Sequence, residues 1–163
     1  MEDEKFIQLE KDNILRIGIK DSNGNPTGEH LEFDLEDIEL PIKYKQLLIE
    51  DKQNKKWFRD ETLIIDKRQD VKGEYLSKNE EDRIKAMQTF LKKEEETYNL
   101  FLGENGVKKL LNGRKLGWTS LESIDKLIEK QILPYLNLTM DNISQKIKER
   151  YSKAVEKTKK VLE

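Results

Sequence analysis

Ser77 to Gly113 reads SKNEEDRIKAMQTFLKKEEETYNLFLGENGVKKLLNG, and the fold turns on how this stretch is read. Ser77 and Glu80 have the spacing of a capping box, and Asn79 with Asp82 offers a second cap just inside it. Ile84, Met87, Leu91, Tyr98 and Phe101 then recur at steps of three, four, seven and three, which places them on one helical stripe. Phe90 and Leu102 lie beside that stripe. Glu94 occupies its missing step, within the acidic run Glu94-Glu95-Glu96. Gly103 supplies the positive-φ residue that ends a helix. Gly106 permits a tight reversal, and Val107 to Leu111 form a further short turn of helix closed by Gly113. The stretch is a long amphipathic helix, a stop and a short second helix, and its periodicity describes a core element rather than a catalytic motif.

Upstream, Ile14 to Ile19 and His30 to Leu35 each alternate apolar and polar residues around the turn-rich DSNGNPTG, which predicts an antiparallel hairpin. Lys5 to Leu9 is a shorter edge-strand candidate. Two strands alone are marginally stable, so the apolar face of the hairpin is expected to pack on a helix or on another copy. Ile38 to Trp57 reads as a helix with Pro41 in its first turn. Residues 59–76 are ambiguous: Leu63-Ile64-Ile65 fits a short strand or a continued helix, and a mobile connection is expected between Lys67 and Tyr75. Downstream, Thr119 and Glu122 form another capping box ahead of Leu121, Ile124, Leu127, Ile128 and Ile132 at helical spacing. Pro134 is expected to kink or stop that helix. Thr139 to Leu162 carries Ile143, Ile147, Tyr151, Ala154, Thr158 and Val161 as a stripe, with a Lys-rich opposite face. The fold class is α+β and mainly α: an N-terminal β-hairpin, a small helical bundle over residues 1–138, and an extended Lys-rich C-terminal helix over 139–163.

Composition narrows the chemistry. Of 163 residues, 35% are hydrophobic and 39% charged, which suits a small-cored helical protein. Charge is uneven: residues 1–40 hold four Lys and Arg against twelve Asp and Glu, and residues 140–163 hold seven against four. The chain has no cysteine, so it has neither disulfides nor thiolate metal ligands. His30 is the single histidine, which removes most Ser-His and Cys-His arrangements and argues against zinc. Asp21 to Asn25 lacks the spaced acidic ligands and terminal Glu of a helical calcium loop. Gly103-Glu104-Asn105-Gly106 lacks the Lys-Ser/Thr ending of a phosphate loop, and Glu104 would repel a phosphate. The basic cluster Lys108, Lys109, Arg114 and Lys115 beside Trp118 is the nucleic-acid candidate, and a sequence pI near 5.7 argues against that role. No apolar run reaches the ~20 residues that span a bilayer, and the acidic N-terminus lacks the order of a signal peptide, so a cytoplasmic protein is expected. What remains is protein–protein interaction, with Trp57, Phe58, Trp118, Tyr135 and Tyr151 as amphipathic anchors.

One stretch, TYNLFLGENGVKKLLNGRKLGWTSLESIDKLIEKQI from Thr97 to Ile132, resembles the tail assembly chaperones of long-tailed phages and prophages of Gram-positive bacteria. The resemblance rests on an aromatic-rich helix, a Gly-Glu-Gly-like turn, a short helix and a final amphipathic helix. It falls on Phe101, Gly103, Glu104, Gly106, Lys108, Lys109, Leu110 and Gly113. Asn105 interrupts what is a tighter turn in that family, and neither 59–76 nor 139–163 has a counterpart. The resemblance implies a non-enzymatic chaperone without cofactor or metal, present in the host cytoplasm and absent from the mature virion. It also implies many copies coating the helical tape measure protein, recruitment of tail-tube protein, and self-association. The expected client or self-association surface is Leu91, Tyr98, Phe101, Leu102, Trp118 and Tyr151. The alternative is a phage or mobile-element interaction protein that inhibits or triggers a host defence system.

Overall fold

The computed structural model describes residues 3–8 and 12–162. Strands β1 (Ile14–Lys20) and β2 (Pro26–Asp34) form an antiparallel hairpin, with Leu15 opposite Phe33 and Ile17 opposite Leu31. The alternation dictates which face is buried: Ile19, Leu31 and Phe33 turn into the core, and Arg16, His30 and Glu32 turn out. Within the connecting turn, Asp21 accepts the backbone N–H groups of Asn23 and Asn25 at 2.9 Å each. Lys5 to Gln8 form no strand, and Leu9 lies outside the described residues.

Helix α1 (Leu40–Lys67) starts with Pro41 in its first turn and runs ten residues past Trp57. Leu63-Ile64-Ile65 is therefore a continuation of helix and not a strand. Ile65 is the reason: it keeps the helical phase of Leu40 and Leu47 and is buried with them against helix α2 (Lys78–Leu102). The reversal between α1 and α2 is pinned by hydrogen bonds. Asp70 accepts the N–H of Asn79 at 2.9 Å, and the N–H of Lys78 donates to the carbonyl of Val71 at 2.8 Å.

Ser77 caps α2 as its spacing predicts, accepting the N–H of Glu80 at 3.1 Å. Asn79 does something else. Its side chain is buried and donates to the carbonyls of Ile65 at 3.1 Å and Arg68 at 3.3 Å, so it closes the C-terminal end of α1 instead of capping its own helix. The buried side of α2 is Ala86, Phe90, Glu94, Thr97, Tyr98, Phe101 and Leu102. Ile84 lies off it and is half exposed, while Met87 and Leu91 border it. Helix α2 packs most extensively on α1, and α3 and β2 touch it as well.

Gly103 ends α2 at φ 96°, and Asn105 (φ 58°) begins helix α3 (Gly106–Leu111). Asparagine tolerates that left-handed conformation, which explains how Asn105 fits the turn. A Cβ on Gly106 would stand 2.7 Å from the Cβ of Leu102, so the close approach of α3 to α2 requires glycine there. Asn99 reinforces it by accepting the N–H of Val107 at 3.0 Å.

Helix α4 (Trp118–Leu127) is capped by Gly117 and Ser120, not by Thr119 and Glu122: the Ser120 hydroxyl accepts the Gly117 N–H at 2.8 Å. Pro134 does not end this helix. A π-helical turn over Ile128–Ile132 leads directly into helix α5 (Leu133–Leu162), with Pro134 in the first turn of α5. Proline lacks an N–H and crowds the carbonyl four residues back, and a turn closed i→i+5 absorbs both effects. The extra residue also keeps Ile124, Ile128, Ile132 and Leu136 on the buried side, although steps of four drift on a regular helix. Helix α5 crosses residues 138–139 without a break.

The core joins the hairpin to α1, α2, α3, α4, the π turn and the first turn of α5. Phe101 sits at its centre, 5.4 Å from Phe33 and 5.3 Å from Tyr44 between ring centroids.

Candidate functional site

The six expected surface residues do not form one surface. Tyr98, Phe101 and Leu102 are each at most 3% exposed. The stripe that makes the helix amphipathic is the stripe that folds it against β2, α3 and α4. Leu91 is partly buried against the core, and Trp118 is half exposed beside Phe90 at 5.9 Å. Tyr151 is a position in α5 whose side chain lies outside the described residues. Ile147 and Val161 of the same stripe are exposed. Among the other aromatic candidates, Trp57 lies under Lys93, whose Nζ is 4.0 Å from the ring centroid, and Phe58 stacks on Phe90 at 5.0 Å.

The structure instead assembles two features. The first is a polar cluster where α1, α2 and α4 meet. Glu94 is 1% exposed, whereas its neighbour Glu95 is partly buried and Glu96 faces outward as a solvated residue does. Asn54 reaches across from α1 and donates from Nδ2 to Glu94 Oε1 and to Thr97 Oγ1, both at 2.9 Å. Burial, and secondarily the carboxylate of Asp51, push the Glu94 carboxyl up to about 8. Asp51 Oδ1 is buried without a hydrogen-bond partner, and a proton on Glu94 supplies a donor for it. The other oxygen of Asp51 pairs with Lys55 Nζ at 3.0 Å. Burial works against the charge of Lys55, but Asp51 outweighs it and raises the group overall.

The Tyr98 hydroxyl donates to Asp125 on α4. Burial and then Asp125 raise the tyrosine, and burial raises Asp125. A cavity of about 150 Å³ adjoins this cluster, lined among others by Phe90, Glu94, Trp118 and Asp125. Perturbed carboxyl groups mark catalytic sites and structural networks alike. Here every bond named joins one helix to another or one helical turn to the next, so the cluster's evident work is to fix α1 against α2 and α2 against α4. Among the described residues no group of three or more His, Cys, Asp or Glu is arranged to hold a metal ion.

The second feature is the outward face of α1. Ile42, Ile49 and Leu63 are exposed on the side opposite α2, separated by Lys45, Gln53, Lys56 and Asp60, and the exposed Ile64 flanks them. At the α1–α2 reversal Val71 and Tyr75 are exposed as well, and so is Ile84 in the second turn of α2. The spacing of Ile42, Ile49 and Leu63 by multiples of seven was the available signal. It is obscured in the sequence because Lys56 fills the intermediate step and because α1 is longer than its periodicity suggests.

Comparisons with family models, with curated proteins and with solved structures find no match to this chain. Among the described residues no helix is long and apolar enough to cross a membrane.

Proposed function

We propose that this chain is a non-enzymatic tail assembly chaperone that covers the tape measure protein of a long-tailed phage and recruits tail-tube subunits. The outer face of α1 carries this reading. It is an apolar stripe on a 28-residue helix, roughly 42 Å long, broken by lysines and exposed among the described residues. A helical client is read by anchors at helical spacing laid along such a face. A cover that must later be displaced needs modest apolar contact rimmed by charge rather than a large dry interface. The resemblance over Thr97–Ile132 supplies the identity of the client. Its residues serve as caps and core, so Phe101, Gly106 and Leu110 hold the scaffold while α1 meets the partner.

The test is a pull-down of the tagged protein from cells assembling particles, with bound proteins identified by mass spectrometry. Recovery of a very long helical tape measure protein and of tail-tube protein, with the bait missing from purified particles, supports the reading. A single host protein at fixed stoichiometry with no tail component overturns it in favour of a protein that inhibits or triggers host defence.

A further inference from the structure

Among the described residues the sheet has two strands, and none of them pairs with the outer edge of β1. The Leu35 N–H donates to the Asn13 carbonyl at 2.9 Å, which sets the phase of the ladder. Odd-numbered residues of β1 bond to β2, and Arg16 and Gly18 turn their N–H and C=O groups to the open edge. Beside this edge, under the apolar face of the hairpin, lies a cleft of about 210 Å³. Ile17, Leu110, Ile124 and Leu127 line it, and so do two cations, Lys20 and Arg114. Gly18 leaves open space where a side chain would stand.

An exposed strand edge with an apolar cleft beneath it accepts an extended segment: backbone bonds provide the pairing, and alternate side chains enter the cleft. Charge complementarity selects a segment that is apolar and acidic. The chain carries one. Asp3 to Gln8, sequence DEKFIQ, adopts no regular structure, and Phe6 and Ile7 are 87% and 98% exposed. An antiparallel register with Phe6 opposite Ile17 places the ring over the cleft, Lys5 opposite the open Gly18, and Asp3 near Lys20. Within one chain that register demands a reversal in the few residues ahead of Ile14. A second copy meets no such constraint.

We propose that residues 3–8 of a second copy add to the free edge of β1 as a third strand, with Phe6 in the cleft between β1, α3 and α4. Such a contact joins two different surfaces, so it closes by reciprocal exchange or propagates head to tail. The inference stands apart from the tail-assembly reading, because either can fail while the other holds.

Two variants of the full chain test it. Phe6→Glu spoils the donor strand and touches nothing in the fold. Gly18→Pro removes an outward N–H that the hairpin itself does not use, a position where edge strands tolerate proline. Mass by sedimentation is read against concentration. The wild type is expected to rise above monomer mass, and each variant alone to weaken association at least tenfold. A mixture of the two restores one competent contact, Gly18→Pro donating to Phe6→Glu, and forms a one-to-one pair. Association unchanged in Phe6→Glu overturns the proposal whether or not Gly18→Pro folds, and so does a mixture that stays monomeric. A wild-type monomer with a Gly18 amide protected from exchange assigns the edge to the chain's own segment, and a monomer with that amide unprotected removes strand addition altogether.

Discussion

Glu94 is a carboxyl buried in the middle of α2, within a run of three glutamates whose composition belongs to solvent. Only the arrival of Asn54 and Asp51 from α1 makes a protonated carboxyl acceptable there. In the folded chain the proton stays on up to about pH 8, whereas the ordinary value is 4.5. The folded state thus holds a proton that the unfolded state has already lost. Stability is greatest at the acid end of this window, falls as pH rises between those two values, and levels off above about 8. Glu94→Gln keeps the hydrogen bonding and removes the proton. Denaturant midpoints of the variant should lose this slope and exceed those of the wild type above pH 8; an unchanged slope would place the titration elsewhere.

Phe101 is the opposite case, a residue whose core role was plain from spacing. Packed on Phe33 and Tyr44, it should cost about 3–5 kcal/mol when truncated to Ala, read from the same denaturation curves. A loss well under that would mean the site collapses around the gap.

At the level of elements, boundaries depend on partners the sequence does not display. Asn79 has the appearance of a cap for α2 and serves α1, because the reversal brings the carbonyls of Ile65 and Arg68 to its amide. Arg68 Nε also donates to Asn79 Oδ1 at 2.8 Å, so one buried amide ties both ends of the reversal. Asn79→Ala leaves these groups without that partner and should cost about 2–3 kcal/mol, with faster amide exchange in the last turn of α1. Pro134 misleads in the other direction. A proline signals a helix end, and here a π turn one residue ahead of α5 carries the helix through. The hairpin and α2 were legible because strict alternation and a strict helical period each admit one buried face. The π turn was not, since a five-residue widening has no sequence period.

The whole molecule divides its apolar residues between two tasks. The stripe of α2 and the face of α4 close the core, and the outer face of α1 stays open. Candidate contacts drawn from the most periodic helix therefore fell inside the fold, and those available to a partner came from a helix whose stripe lysines interrupt. Ile42→Glu with Ile49→Glu should leave the melting temperature within a few degrees of wild type, because both side chains are exposed and neither belongs to the buried core. The same pair should reduce recovery of a tape measure fragment in co-expression about tenfold or more. Full recovery would shift the contact surface to α5 or to the α1–α2 reversal.

The two tryptophans meet α2 from two different helices, Trp57 of α1 beneath Lys93 and Trp118 of α4 beside Phe90. The protein is in this sense supplied with two optical reporters, one for each seam of its central helix. With either indole replaced by phenylalanine, the emission of the other follows a single seam. Coincident transitions would show that the seams part together, and a Trp57 signal that changes first would show α1 leaving a still-closed α2–α4 pair, the motion through which a client could gain or lose its grip.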